Sequence, residues 1–235
     1  MVTNTGNELG YWVYTDYSDR IADPFKMTSE IANCILDRVV GCLVILREEE
    51  LLYPKKIILT ASSWRKVVEC GKDEFSDMDF SRALCLDLSN ANIKEQLKTL
   101  LYREHSSDGF VYAYNYEIEG IGKVYTSEDE LVLCDDVIRF ESNEANFKGI
   151  VISTHVDCWL RYELETVRPQ PEIHRLNAPR LERALERIGE HLGIDAREDD
   201  RAGSDAAYLD GYKFENRGES DGSPDPVDPA TGKYK

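Results

Sequence analysis

The sequence predicts an α+β fold, in which a mainly antiparallel sheet formed by the middle of the chain is flanked by a few helices. Short apolar and aromatic runs follow one another over residues 110–164 without room for helices between them, whereas the segments on either side have helical spacing. The chain beyond residue 195 is rich in Asp, Gly, Pro and Ser. We therefore expect a single globular domain over residues 1–195 and a flexible, disordered acidic tail over residues 196–235.

The first part of the chain is predicted to alternate between strands and helices. The aromatic and β-branched run Gly10–Thr15 is typical of a strand, and apolar residues recur at helical spacing over Ser29–Val40, with Gly41 as the expected end of that helix. Four further elements are predicted from shorter patterns. They are strands at Leu43–Leu46 and Lys55–Ala61 and helices at Ser63–Cys70 and Ser89–Arg103.

The middle of the chain is predicted to form most of the sheet. In Phe110–Glu119 aromatic and apolar residues alternate with Glu117 and Glu119, the pattern of a strand with one buried face and one solvated face. Gly120–Gly122 is expected to form a turn, and Asp135–Asp136 a hairpin turn. Further strands are predicted at Lys123–Tyr125, Leu131–Leu133, Val137–Phe140, Gly149–Thr154 and Trp159–Leu164.

One more helix is predicted at the end of the globular part. Asn177 is a favourable N-cap, Pro179 would lie in the first turn, and Gly193 is a favourable C-cap. Between them, apolar residues with helical spacing define a buried stripe. They are Leu181, Leu185, Ile188 and Leu192. Arginines and glutamates are interleaved on the other face, which predicts an ion-paired, solvent-exposed surface.

The charge of the chain is strongly negative and unevenly distributed. The sequence has 45 Asp and Glu against 28 Lys and Arg, a net charge of −17, and residues 104–144 alone hold 11 carboxylates with only Lys123 and Arg139 as bases. The last 35 residues contribute only −2. Such a field attracts cationic partners and repels nucleic acid and anionic membranes. The acidity therefore belongs mainly to the predicted sheet, which can hold a shaped surface.

The leading hypothesis is an acidic cytoplasmic binding protein with a basic protein partner. Its specific form is an immunity protein or inhibitor, of bacterial type, that neutralises a basic toxin, because complementary charge speeds capture and aids specificity. The predicted partner-binding residues are carboxylates of the strand-rich middle. They are Glu117, Glu119, Glu128, Asp129, Glu130, Asp135 and Asp136.

Other kinds of chemistry have weak support in the sequence. The six cysteines are scattered without a CxxC pair, which favours buried reduced thiols, and we expect neither a metal nor another cofactor. There is no nucleophile elbow and no glycine-rich phosphate loop. No apolar run is long enough to span a bilayer, and Met1–Gly10 does not resemble a signal peptide. We therefore predict no catalytic residues, no nucleic acid and no membrane among the partners.

Two alternatives remain open. The first is an enzyme of unfamiliar type, with a hydrolase-like site around His155 and Asp157, which would share one face if they lay on a strand. Such a site would gather several polar residues in one pocket. The candidates are His105, His155, Asp157, Glu117, Glu119 and Cys158. The second alternative is a structural or regulatory protein whose tail recruits another protein.

Overall fold

A computed structural model describes residues 9–16, 29–69, 72–85, 95, 109–143, 148–164, 166, 168–194, 207–210 and 212–216. It has the α+β fold that the sequence predicts. The strands are β1 (Gly10–Asp16), β2 (Tyr53–Glu69), β3 (Lys72–Cys85), β4 (Gly109–Ser127), β5 (Glu130–Asp135), β6 (Ile138–Asn143), β7 (Lys148–Thr154), β8 (Ala207–Asp210) and β9 (Lys213–Asn216). The helices are α1 (Ser29–Glu48) and α2 (Pro171–Leu192), with a short 3-10 helix at Asp157–Trp159. The predicted helix Ser89–Arg103 lies outside the described residues, apart from Glu95.

In the described part of the chain, seven strands form one antiparallel sheet. Six follow the order β1-β7-β6-β4-β2-β3, and β5 pairs with β4. The edge of β4 that faces β2 is paired from Gly109 to Ile121, so β5 and β6 share the opposite edge of β4. The sheet is therefore built around β4, the longest strand, which contacts β2, β5 and β6.

Strands β5 and β6 run end to end along β4 and are separated by a bulge. Ile121 pairs with Asp135 and Ile118 pairs with Phe140, so the β5–β6 side has two more residues than β4 between these pairs. Asp136 and Val137, which lie between the two strands, take up this excess, and Asp136 has a left-handed conformation with φ of 53°. The predicted hairpin turn at Asp135–Asp136 is therefore wrong, because the chain bends there and continues in the same direction.

The core lies between the sheet and the two helices. One row of side chains crosses five strands by direct pairing, and every member is at most 1% exposed. This inner row consists of Trp12, Ile152, Phe140, Ile118 and Ile57. Helix α2 is also tied to β1, because the Tyr14 hydroxyl donates a hydrogen bond of 2.7 Å to the Leu185 carbonyl.

Helix α1 is longer than predicted and includes both Gly41 and the apolar run Leu43–Leu46. Leu36, Val39, Leu43 and Leu46 are buried and lie at helical spacing, so the run belongs to the helix and not to a separate strand. Gly41 does not end the helix. A Cβ atom at this position would overlap only the imidazole of His191, the end of an exposed side chain that can turn aside.

Two predictions fail along β2 and β4. The segment predicted as helix Ser63–Cys70 continues β2 as far as Glu69, pairing with β3 throughout and with β4 up to Arg65, and Cys70 lies outside the described residues. Gly120–Gly122 is not a turn but the interior of β4. A Cβ atom on Gly120 or Gly122 would overlap the carbonyl oxygens of Tyr53 and Leu51 respectively, so these glycines serve a close backbone approach.

The region after β7 also differs from the prediction. Residues predicted as strand Trp159–Leu164 form the end of the 3-10 helix and the loop that follows it. Helix α2 begins at Pro171, after Gln170, so Asn177 and Pro179 lie inside the helix and Asn177 is not its N-cap. The prediction for Gly193 is confirmed. This residue caps α2 in the left-handed conformation with φ of 69°.

The predicted tail contains one described element, the antiparallel hairpin β8–β9. Its turn residue Tyr212 lies against α2, because a Cβ atom on Gly189 would be 2.8 Å from the Tyr212 hydroxyl oxygen. Within 196–235 the structure describes residues 207–210 and 212–216, and the rest of this range lies outside the described part of the chain.

Candidate functional site

The side of the sheet that faces away from α1 and α2, here called the outer face, has a row of side chains directly next to the inner row. Each member follows or precedes an inner-row residue by one position and pairs across the strands with its neighbour. This outer row consists of Val13, Val151, Glu141, Glu117 and Ile58. Glu141 is exposed and the other four are partly exposed. The outer row is therefore accessible, and two carboxylates lie at its centre.

Glu117 and Glu141 lie directly opposite each other on β4 and β6. Side chains in such a position are about 5 Å apart at Cβ, and like charges there repel. The pKa of Glu141 is raised, first by desolvation and then by the Glu117 carboxylate, while Arg139 lowers it less. Glu117 accepts a hydrogen bond of 3.2 Å from the Asn115 amide. The centre of the outer row thus has an excess of negative charge that its nearest base does not offset.

A second row beside the outer row has alternating charges. Lys56 and Glu119 are paired across β2 and β4, with 3.1 Å between Lys56 Nζ and Glu119 Oε2. The pKa of Arg139 is raised, first by its hydrogen bond with Asp136, and Glu119 and Glu141 contribute further. This neighbouring row therefore satisfies its charges internally, in contrast to the Glu117–Glu141 pair.

The structure divides the seven predicted partner-binding residues into two groups. Glu117 and Glu119 lie on the outer face, and Asp135 and Asp136 adjoin it at the bulge. The remaining three, Glu128, Asp129 and Glu130, lie at the other end of β5. Six residues of strand span about 20 Å, so the two groups form no single patch.

Most of these predicted acids have partners within the molecule. Asp135 pairs with Lys55 at 3.2 Å, and Asp136 pairs with Arg139 at 3.2 Å. Glu128 pairs with Arg175 of α2, and the Glu130 carboxylate accepts a hydrogen bond from the Thr126 hydroxyl. Such exposed pairs are weak and exchange readily with solvent, but they reduce the charge available to a partner.

The sequence did not identify Glu141 as a candidate. Ile138 and Phe140 are buried, so alternation along β6 would have placed Arg139 and Glu141 on the opposite, accessible side. No sequence pattern places Glu141 opposite Glu117, however, because that register depends on the bulge at Asp136.

The residues proposed for an enzyme site are divided between the two sides of the sheet. Glu117 and Glu119 are on the outer face, whereas Asp157 and Cys158 are fully buried beside α2. The carboxylate of Asp157 accepts a hydrogen bond of 3.2 Å from the Leu164 amide, and its carbonyl accepts one of 2.7 Å from the Gln170 side chain. Asp157 therefore organises the loop.

The predicted strand face shared by His155 and Asp157 is not present. Strand β7 ends at Thr154, and Asp157 begins the 3-10 helix. His155 is 4% exposed. His105, the remaining histidine of the proposed set, lies outside the described residues. The His–Asp prediction is therefore wrong in its geometry, because a strand was assumed to continue past its end.

The cysteines are free thiols where the structure describes them. Burial raises the pKa of Cys42 to about 12 and raises that of Cys158 well above its ordinary value, so both stay protonated at neutral pH. Cys34 is exposed on α1, which contradicts its predicted burial. Among the described residues no group of three or more His, Cys, Asp or Glu side chains is placed to hold a metal ion.

Comparisons with protein-family models, curated proteins and solved structures found no match to this chain. Neither of the described helices is both long and apolar enough to cross a bilayer. The functional interpretation therefore rests on the outer face and on the distribution of charge.

Proposed function

We propose that this chain is an acidic binding protein whose outer face receives a cationic protein partner. The observation that supports this function is the Glu117–Glu141 pair, two carboxylates held opposite each other at the centre of an accessible sheet face. A cation from a partner would relieve their repulsion. Asp135 and Asp136 extend the negative field at the border of this face.

The specific form of the proposal is an immunity protein or inhibitor that neutralises a basic toxin in the cytoplasm. Toxins that act on nucleic acid need positively charged clefts, because binding to phosphates depends on Lys and Arg. A protein with a net charge of −17 would capture such a cleft rapidly and with a strong dependence on salt. Free thiols at Cys34, Cys42, Cys134 and Cys158 are compatible with a reducing compartment.

The proposal is tested by reversing charge on the two sides of the molecule. One variant combines Glu117→Lys with Glu141→Lys on the outer face. The matched control combines Glu186→Lys with Glu190→Lys on the exposed surface of α2, which changes the net charge by the same amount. The probe is a fluorescently labelled oligoarginine peptide, titrated at low and at physiological salt.

We expect the outer-face variant to bind the peptide about tenfold more weakly than the control, and with a smaller dependence on salt, because two close charge contacts change sign. The helix variant reports the effect of net charge alone. Equal losses of affinity in the two variants would mean that the peptide responds only to net charge, and the outer face would not be the binding surface.

A further inference from the structure

We propose that the outer row is a receptor for one arginine side chain that the partner protein presents between apolar residues. This inference rests on the proposed function and adds the chemistry of the partner. The Glu117–Glu141 pair would receive the guanidinium, and the aliphatic members of the row would contact the flanking apolar groups.

The order of residues across the sheet supports this assignment. Neighbouring strands are about 4.8 Å apart, so the five positions span about 19 Å. Val13 and Val151 lie on one side of the carboxylate pair and Ile58 on the other, all partly exposed. A strand or loop that lies across the sheet would therefore meet apolar, acidic and again apolar surface in that order.

The geometry of the carboxylates favours arginine. A guanidinium is planar and donates five N–H groups, so it can bond two carboxylates on opposite sides at once. An ammonium group is a compact and strongly hydrated point charge, which gains less from a pair of acceptors flanked by aliphatic side chains. Arginine is also more common than lysine at the centres of protein interfaces.

The contrast with the neighbouring row supplies an independent reason. In that row Lys56 is directly opposite Glu119, and the two form an ion pair across the strands. At the next position the sheet places Glu141 opposite Glu117. A repulsive pair on an accessible face weakens the free protein, and a bound cation would reverse that effect.

The test uses three short synthetic peptides with the same number of charges. In the first, one arginine has a valine two positions before it and another two positions after it, so that all three side chains lie on the same side of an extended peptide; in the second, serines replace these valines; in the third, lysine replaces the arginine. Each is titrated against the wild-type chain, against Glu141→Gln, and against a Val151→Thr/Ile58→Thr variant that keeps the strand-forming character of both positions. Circular dichroism and thermal unfolding establish that each variant is folded.

We expect the wild-type chain to prefer the arginine–valine peptide over each of the other two by about tenfold, which corresponds to about 1.4 kcal/mol. The Val151→Thr/Ile58→Thr variant should lose the preference for valine over serine but keep binding to arginine. Glu141→Gln should bind all three peptides about fivefold more weakly, yet unfold at a temperature about 1–2 °C higher than wild type.

Each part of the inference has its own contradicting result. Equal affinity for the two arginine peptides would exclude the apolar flanks, and equal affinity for lysine and arginine would exclude the guanidinium. Weaker binding by Glu141→Gln without a gain in stability would show that Glu117 and Glu141 do not repel each other in the free protein. The inference that a bound cation relieves a destabilising repulsion would then be wrong. All three results could occur while the charge-reversal experiment succeeds, so they separate this inference from the proposed function.

Discussion

The inner and outer rows occupy adjacent positions on the same five strands but differ in every physical respect. The inner row consists of five apolar side chains at most 1% exposed, from Trp12 to Ile57. The outer row is accessible and has two opposed carboxylates at its centre. Because the strands are shared, backbone pairing cannot account for this difference. Burial of the inner row stabilises the fold, whereas we expect the like charges at the centre of the outer row to weaken it.

Two buried polar side chains on the covered side of the sheet, Arg180 and Asn177, have hydrogen-bond partners in the backbone. Arg180 is 8% exposed, and its guanidinium donates to the Lys123 carbonyl at 3.0 Å and to the Glu49 carbonyl at 2.6 Å. Asn177 pairs with the backbone N–H and C=O of Tyr125, each at 2.9 Å. Desolvation lowers the pKa of Arg180. Arg180 and Asn177 are thus matched by partners, in contrast to the repulsive Glu117–Glu141 pair on the open side.

The largest expected effect tests the covered side. Arg180→Met should lower the free energy of unfolding by about 2 kcal/mol, because it leaves the partly buried Lys123 and Glu49 carbonyls without the guanidinium donor. Urea denaturation measures the change. Arg183→Met is the control on the same helix. Arg183 pairs with Glu49 at 3.0 Å but is largely exposed, so its loss should cost under about 1 kcal/mol.

Equal effects of these two substitutions would break the contrast between the two sides. They would mean that the buried guanidinium contributes no more than an exposed ion pair, and that satisfied polarity is not what distinguishes the covered side.

A second prediction concerns close packing beneath β4. Gly122→Ala should destabilise the protein by about 2 kcal/mol, because the new methyl group would overlap the Leu51 carbonyl and the backbones would have to separate. Gly193→Ala is the comparison. No atom lies within 4 Å of its Cβ position, so only the strain of φ at 69° remains, about 1 kcal/mol. A Gly122→Ala variant as stable as wild type would show that β4 does not lie as close to this segment.

The smallest expected effect is a pH dependence of stability that arises from Glu141 on the open side of the sheet. The pKa of Glu141 is raised above its ordinary value of 4.5, so the folded protein keeps this proton at pH values where the unfolded chain has lost it. Stability therefore falls as pH rises from 4.5 through the raised pKa, and the penalty is fully present above that pKa. Glu141→Gln removes the penalty. It should be more stable than wild type at neutral pH, by about 0.5 kcal/mol, and show no gain in acid.

Urea denaturation of both proteins across this pH range measures the difference. A constant difference at all pH values would show that Glu141 does not titrate under the influence of its neighbours. The matched variant Glu190→Gln, on the exposed side of α2, controls for the loss of one charge.

The sequence predicts the fold class and several strands because alternation of apolar and polar residues is a local signal. Gly10–Thr15, Gly149–Thr154 and the strand containing Glu117 were identified this way. Leu43–Leu46 was misassigned because a short apolar run fits a buried strand and a buried helix equally well. Only its packing with the rest of α1 decides between them.

The candidate site could be predicted only in part. Alternation along β4 predicts that Glu117 and Glu119 lie on its accessible side, but it does not predict which strand pairs with β4 at these positions. Glu141 comes to lie opposite Glu117 because Asp136 forms a bulge, and a sequence pattern does not specify how far a bulge shifts the register. Gly120–Gly122 was mistaken for a turn for a similar reason, since the backbone of Leu51–Tyr53 that it approaches is distant in sequence.

We propose that the Glu117–Glu141 pair lowers the stability of the free protein and binds a cation of the partner. This proposal is tested most directly by thermal unfolding of the wild-type chain and of a Glu117→Gln/Glu141→Gln variant, each with and without the arginine–valine peptide. The account predicts that the variant unfolds at the higher temperature when alone and that the peptide raises the unfolding temperature of the wild type more than that of the variant. Equal shifts in the two proteins, or a variant less stable than wild type without peptide, would contradict it.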